Sequence, residues 1–82
     1  MRNEKGAQAM QLSTRNRLPG RITEVIKGEA AAKVTLQVGD NHMVALITRE
    51  SADELHLEPG KQVTAIVKAT DVMLLTDDGD VA

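Results

Sequence analysis

The chain has 82 residues, so it holds one domain at most. It has no cysteine and no Phe, Trp or Tyr, which excludes disulfides and thiolate metal sites and leaves a core of Ile, Leu, Val, Met and Ala. A formal net charge of −2 and a pI near 5.6 argue against broad nucleic-acid binding, which calls for a basic surface.

A chain this short buries a modest share of its surface, and small domains make up the deficit with disulfides, metals or association. With the first excluded, we expect self-association. The absence of cysteine suits a reducing compartment. No apolar run approaches membrane-spanning length. The opening "MRNEKGAQA" has no apolar h-region and is not a secretory signal, so the expected location is the cytoplasm, with no membrane partner.

Residues 1–9 are polar without hydrophobic period and read as a flexible arm. "GRITEVIK", closed by Gly28, reads as a strand. "AAKVTLQV" alternates, with Ala32, Val34, Leu36 and Val38 on one face and Lys33, Thr35 and Gln37 on the other, the pattern of a half-buried strand. Gly39-Asp40-Asn41 is a turn whose residues tolerate positive φ. "HMVALIT" is a nearly continuous apolar run suited to a central strand, and the two runs form a β-hairpin.

"TRESADELHLEPG" breaks the period of two. Thr48 and Ser51 are N-cap candidates, Ser51 with Glu54 fits a capping box, and Pro59-Gly60 ends the segment. A helix of about two turns is expected. "KQVTAIVK" then alternates again, with Val63, Ala65 and Val67 on one face, and a short segment follows at Asp71 to Leu75. The expected order is four strands, a helix and a further strand. "TDDGDVA", residues 76–82, reads as a frayed acidic tail. Five short strands and one helix predict an all-β, small, OB-like five-stranded β-barrel that oligomerises. The ordered domain is expected over residues 10–75.

Enzymatic readings lack their residues. Ser13 and Ser51 have no G-x-S-x-G context. His42 and His56 fall on different elements and not at a metal-ligand spacing. The run Asp77-Asp78-Gly79-Asp80 lacks the bidentate Glu that a Ca²⁺ loop requires. No catalytic residue and no metal site is expected. Single-strand binding by an OB-like barrel relies on aromatic stacking, for which this chain has no side chain.

Two polar clusters remain. "STRN", residues 13–16, gathers Ser13, Thr14, Arg15 and Asn16. "KAT", residues 68–70, gathers Lys68, Ala69 and Thr70 where a strand gives out and backbone N–H groups leave the ladder. A tetrahedral oxyanion needs hydroxyl, cationic, amide and backbone donors on several sides, and this is that inventory. The plainer reading, that Arg15 and Lys68 are ordinary solvated charges, stays open on composition alone.

Those clusters, as they stand in Ser13-Thr14-Arg15-Asn16-Arg17-Leu18-Pro19-Gly20-Arg21-Ile22 and Val67-Lys68-Ala69-Thr70-Asp71-Val72-Met73, are where the chain resembles the molbindin, or molybdenum–pterin-binding, family. The resemblance covers residues 10 to about 75. It implies a cytoplasmic binding protein for molybdate, with tungstate as an equivalent, and no redox cofactor. It implies a hexamer, a trimer of dimers, with the oxyanion held at subunit interfaces, one subunit offering the front cluster and another the back. The implied ligands are Ser13, Thr14, Arg15, Asn16, Lys68, Ala69 and Thr70, and a second site type is implied around Lys27-Gly28. The chain departs from the family pattern at Thr14 for alanine, Arg17 for glutamine, Thr70 for serine, and at Pro19, which removes a backbone donor. An oligomerising module of a molybdate transporter or regulator, binding no anion, is the alternative.

Overall fold

The computed structural model describes residues 14–82. The elements are β1 (Arg15–Lys27), β2 (Ala31–Val38), β3 (Asn41–Thr48), α1 (Arg49–Glu54), β4 (Gln62–Lys68) and a 3-10 turn at Ala69–Asp71. The strands form a sheet in the order β3-β2-β1-β4. The all-β reading stands. Among the described residues four strands are present where five were expected: three precede the helix, and the segment expected at Asp71 to Leu75 contributes a single bridge, Leu75 to Val81.

The described residues divide into two compact units, Leu18–Ala65, and residues 14–17 with Ile66–Ala82. In the first, the sequence periods place the core. Cβ atoms alternate across a strand, so Val34 and Leu36 of β2 turn inward with Ile22 of β1, which is 1% exposed. Val25, Met43, Ala45, Ile47, Leu57, Val63 and Ala65 pack around these three. β1 and β2 pair from Arg21–Gln37 to Lys27–Ala32, with a bulge between Ile22 and Glu24. The Thr23 hydroxyl bonds the Thr35 carbonyl at 3.2 Å beside the extra residue.

β2 and β3 form the expected hairpin without a bulge, from Ala31–Thr48 to Val38–Asn41. Asn41 therefore belongs to the ladder, and the loop is Gly39-Asp40 alone. Gly39 takes φ 59° there, the sign that a two-residue hairpin demands at its first position. The front strand is longer than expected. Before the bulge, Leu18, Gly20 and Ile22 are partly or fully buried while Pro19 and Arg21 are exposed, an alternation hidden by arginine, proline and glycine. Pro19 is tolerated because the register with β2 begins only at Arg21. Gly20 is required by contact: a Cβ there would meet the Gln37 carbonyl oxygen at 2.7 Å.

Helix α1 begins one turn earlier than its capping-box reading. Thr48 is the N-cap, and its hydroxyl oxygen accepts from the Ser51 N–H at 3.0 Å. Ser51 is the third helical residue and meets the Thr48 hydroxyl at 2.8 Å. The helix closes with the Leu57 N–H on the Ala52 carbonyl and the His56 N–H on that of Asp53, both at 3.1 Å. This is the Schellman arrangement, with His56 in the left-handed position at φ 54°. The Lys61 ammonium donates to the Leu55 carbonyl at 2.6 Å and caps the same end.

In the second unit, residues 76–82 fold back on the chain before them and are not a frayed tail. Leu74 and Ala82 exchange two backbone bonds, of 2.7 and 2.8 Å. The Thr76 N–H donates to the Asp80 carbonyl at 2.8 Å, and the Thr76 hydroxyl accepts from the Asp80 N–H at 3.1 Å. Gly79, at φ 93°, supplies the positive dihedral of the turn. The arm at residues 1–9 lies outside the described residues.

Candidate functional site

Arg15 opens β1 and Lys68 closes β4. The two strands are sheet neighbours, so the first end of one lies against the last end of the other. Two hydrogen bonds tie these ends together. The Ala69 N–H donates to the Thr14 carbonyl at 2.8 Å, and the Asn16 amide nitrogen donates to the Val67 carbonyl at 3.3 Å. A separation of about fifty residues in sequence becomes contact between adjacent strands. No division of labour between subunits is needed to bring the two clusters together.

Beyond Lys68 the chain turns through the 3-10 turn Ala69–Asp71, where the Val72 N–H donates to the Ala69 carbonyl at 3.3 Å. Thr70 sits in this turn and is exposed, as are Thr14, Arg15, Asn16, Arg17, Lys68 and Ala69. Among the described residues, Arg15, Arg17 and Lys68 enter no ion pair; the pairs there are Lys27 with Asp53 and Arg49 with Asp53. Cations without carboxylate partners, beside a hydroxyl and at the end of a ladder, make a local field that attracts an anion even on an acidic protein. Asp71 in the same turn is the acidic neighbour.

The expected donors thus divide. Arg15, Lys68 and Thr70 present their polar groups at the surface. Ala69 uses its N–H on Thr14, and Asn16 uses its amide on Val67, so both fasten the two ends. Spacing could not distinguish these roles, because a side-chain amide serves a ligand or a backbone carbonyl equally well. Ser13 lies outside the described residues.

The region around Lys27-Gly28 is held by ion pairs. The Lys27 ammonium reaches an Asp53 carboxylate oxygen at 2.7 Å, the other oxygen lies 3.4 Å from Arg49 Nε, and an Arg49 terminal nitrogen donates to the Gly28 carbonyl at 3.0 Å. The hydrogen bond from Lys27 holds the Asp53 carboxyl below its ordinary value, against the opposing effect of desolvation, with the charges of Lys27 and Arg49 adding to the lowering. Both cations here already have a carboxylate. His42 stands in β3 and His56 beyond the helix, and no group of three or more His, Cys, Asp or Glu able to hold a metal occurs among the described residues. Among the described residues no helix is long and apolar enough to cross a membrane.

The model of the TOBE domain family matches residues 12–74. Molybdenum-pterin-binding protein 2 of Clostridium pasteurianum is 40% identical over 67 residues, covering 80% of this chain and 98% of its own. A molybdate-binding protein from Sporomusa ovata, solved at high resolution, superposes with a TM-score of 0.74 at 40% identity, covering 82% of this chain and all of the other. The cytoplasmic molybdate-binding protein ModG, solved with molybdate bound, superposes with a TM-score of 0.65 at 34% identity, over 73% of this chain and 43% of its own.

Proposed function

The chain belongs to the TOBE domain family, with molybdenum-pterin-binding proteins among its relatives, and on that premise we propose that it binds molybdate, with tungstate as an equivalent. The observation that carries the reading is the joining of the β1 and β4 ends by the Ala69–Thr14 and Asn16–Val67 bonds, which sets Arg15, Lys68 and Thr70 on one patch. Both molybdate-binding structures named above share the fold at 34–40% identity.

In this reading Arg15 and Lys68 supply charge, Ser13, Thr14 and Thr70 supply hydroxyl donors, and Ala69, its N–H committed to Thr14, fastens the patch. Asn16 positions the patch. The patch is exposed and covers one side of a tetrahedral anion, which needs donors on several. A second copy therefore completes the site, which places it at a subunit interface of a homo-oligomer, a hexamer built as a trimer of dimers. Binding makes and breaks no bond, so the protein acts in molybdenum storage or homeostasis, in the cytoplasm, and not as an enzyme. The proposed division keeps residues 10–75 as the OB-like barrel domain, between an arm at 1–9 and a C-terminal segment at 76–82. An oxyanion and further copies of this chain are the partners, with no nucleic acid or membrane involved.

Native mass spectrometry with molybdate, against sulfate at the same concentration, tests this. An oligomer that gains molybdate masses and ignores sulfate is expected. An oligomer that gains neither anion refutes the ligand and leaves a module for assembly alone.

A further inference from the structure

The unit Leu18–Ala65 contains an open cleft of about 370 Å³, lined by Val34, Leu36, Ile47, Leu55 and Leu57 among others, with Lys61 as its one charged lining residue. Protein interiors are close-packed, and apolar walls facing water or empty space forfeit both burial and dispersion. The core cluster below the cleft and all the side chains packed against it come from this unit.

The other unit has the opposite property. Val72, Met73, Leu74, Leu75 and Val81 are exposed, Met73 at 72%, and none of residues 66–82 is buried. The Leu74–Ala82 and Thr76–Asp80 bonds hold these side chains on a small folded-back loop. A contiguous apolar projection of this kind marks an interaction surface. It is flanked by Asp71, Asp77, Asp78 and Asp80, opposite in sign to the Lys61 of the cleft.

We propose that the apolar segment Val72–Leu75 of one copy seats in the cleft of a second copy, with its aspartates toward Lys61. This rests on the self-association proposed above and names the surfaces that carry it. The segment follows directly on Lys68-Ala69-Thr70, so docking it fixes the anion-binding patch relative to the second copy. Assembly and completion of the site are then one event.

The lack of native cysteine makes single-cysteine variants a direct test. Leu74→Cys and Leu55→Cys proteins are prepared separately, mixed, oxidised mildly and weighed. The mixture should form a mixed disulfide several-fold more than a Leu74→Cys and Leu46→Cys mixture does. The Leu74→Asp/Leu75→Asp protein should also shift towards monomer in native mass spectrometry while its far-UV circular dichroism is kept. If the two mixtures cross-link equally while the unsubstituted protein stays oligomeric, the pairing is wrong and self-association stands on another surface, such as the edge of β3. If a Leu55→Cys/Leu74→Cys double variant closes its disulfide within single chains while the mixture of single variants forms none, the second copy is overturned as occupant. A monomeric unsubstituted protein overturns the inference together with the self-association it rests on.

Discussion

The backbone N–H of Ala69 meets the carbonyl of Thr14 at 2.8 Å, and through that bond the two polar ends of the chain become one patch. Lys68 precedes the donor and Arg15 follows the acceptor. Neither cation has a carboxylate partner among the described residues. Replacing Lys68 or Arg15 by Gln should each weaken molybdate binding by about ten- to a hundredfold, the range of one charged hydrogen bond. Isothermal titration measures this, and unchanged far-UV circular dichroism shows that the sheet is kept. Unchanged titration curves for both variants would remove these residues from the site.

Asn16 should behave differently from both cations. Its amide nitrogen donates to Val67, so Asn16→Asp sets a carboxylate against a carbonyl and adds negative charge near Arg15. Asn16→Asp should bind molybdate more weakly than Asn16→Ala, and both should lose stability by about 1 kcal/mol, the net worth of one such bond. Titration together with urea unfolding separates the two effects. A direct ligand would show the larger loss in binding with no change in unfolding midpoint.

Gly20 and Gly39 are required for separate reasons. A methyl at Gly20 meets the Gln37 carbonyl at 2.7 Å, and at Gly39 it meets nothing within 4 Å. Gly20→Ala should cost about 1–3 kcal/mol by forcing the backbone to shift. Gly39→Ala should cost about 1–2 kcal/mol through its φ of 59° alone. Thermal melts would report both. Adding Asn at position 39 should recover part of the second loss, because Asn tolerates the left-handed region, and Asn at position 20 should recover nothing.

The helix end offers a gain. His56 occupies a position that usually holds glycine, so His56→Gly should stabilise the protein by about 1 kcal/mol and raise its melting temperature by several degrees. Lys61→Met removes the cap on the Leu55 carbonyl and should lower it.

Asp53 predicts the acid limb of stability. Its folded carboxyl titrates below the ordinary value of 3.8, chiefly through the Lys27 hydrogen bond. A depressed folded value means that the stabilisation is complete above the unfolded value and is lost as pH falls through the folded one. Asp53→Asn should therefore be less stable than the parent at neutral pH, with the difference vanishing as the pH drops well below 4. Because the carboxylate is exposed, salt should narrow the difference too. Melting temperatures from neutral pH to strong acid test this.

Much of the fold was legible in the residues. β2 announces itself by strict alternation and β3 by a nearly continuous apolar run after a Gly-Asp turn, and their hairpin lies where that pattern puts it. The run suggested a central strand, but β3 stands at the edge of the sheet with Val44 and Leu46 exposed. The helix was legible as a break in period, and its cap as one of two residues. Thr48 and Ser51 are both good capping residues, and the strand ending at Thr48 decides between them. The strand character of residues 15–19 was hidden because proline and asparagine mark turns more often than strands, and Arg15 and Arg17 supply no apolar alternation. The folded-back segment at 74–82 was hidden for a different reason: its bonds are mostly between backbone groups, which leave no side-chain pattern. Both polar clusters were visible from their residue types. Their adjacency was not, because it depends on which strands are neighbours, and a period of two carries no information on partner.

The extra residue at Thr23 resets the parity of β1. Up to Ile22 the even-numbered side chains face the core, and from Val25 the odd-numbered ones do. Thr23 works like a one-letter insertion in a reading frame: both halves of the strand make sense, each in its own frame. Deleting it would splice the two frames into one unbroken alternation, Ile22 inward, Glu24 outward and Val25 inward, because Ile22 and Glu24 already face consecutive residues of β2, Leu36 and Thr35. The inward and outward sets would both survive. What would go is the Thr23–Thr35 hydroxyl bond and the local bend and added twist that a bulge gives its strand.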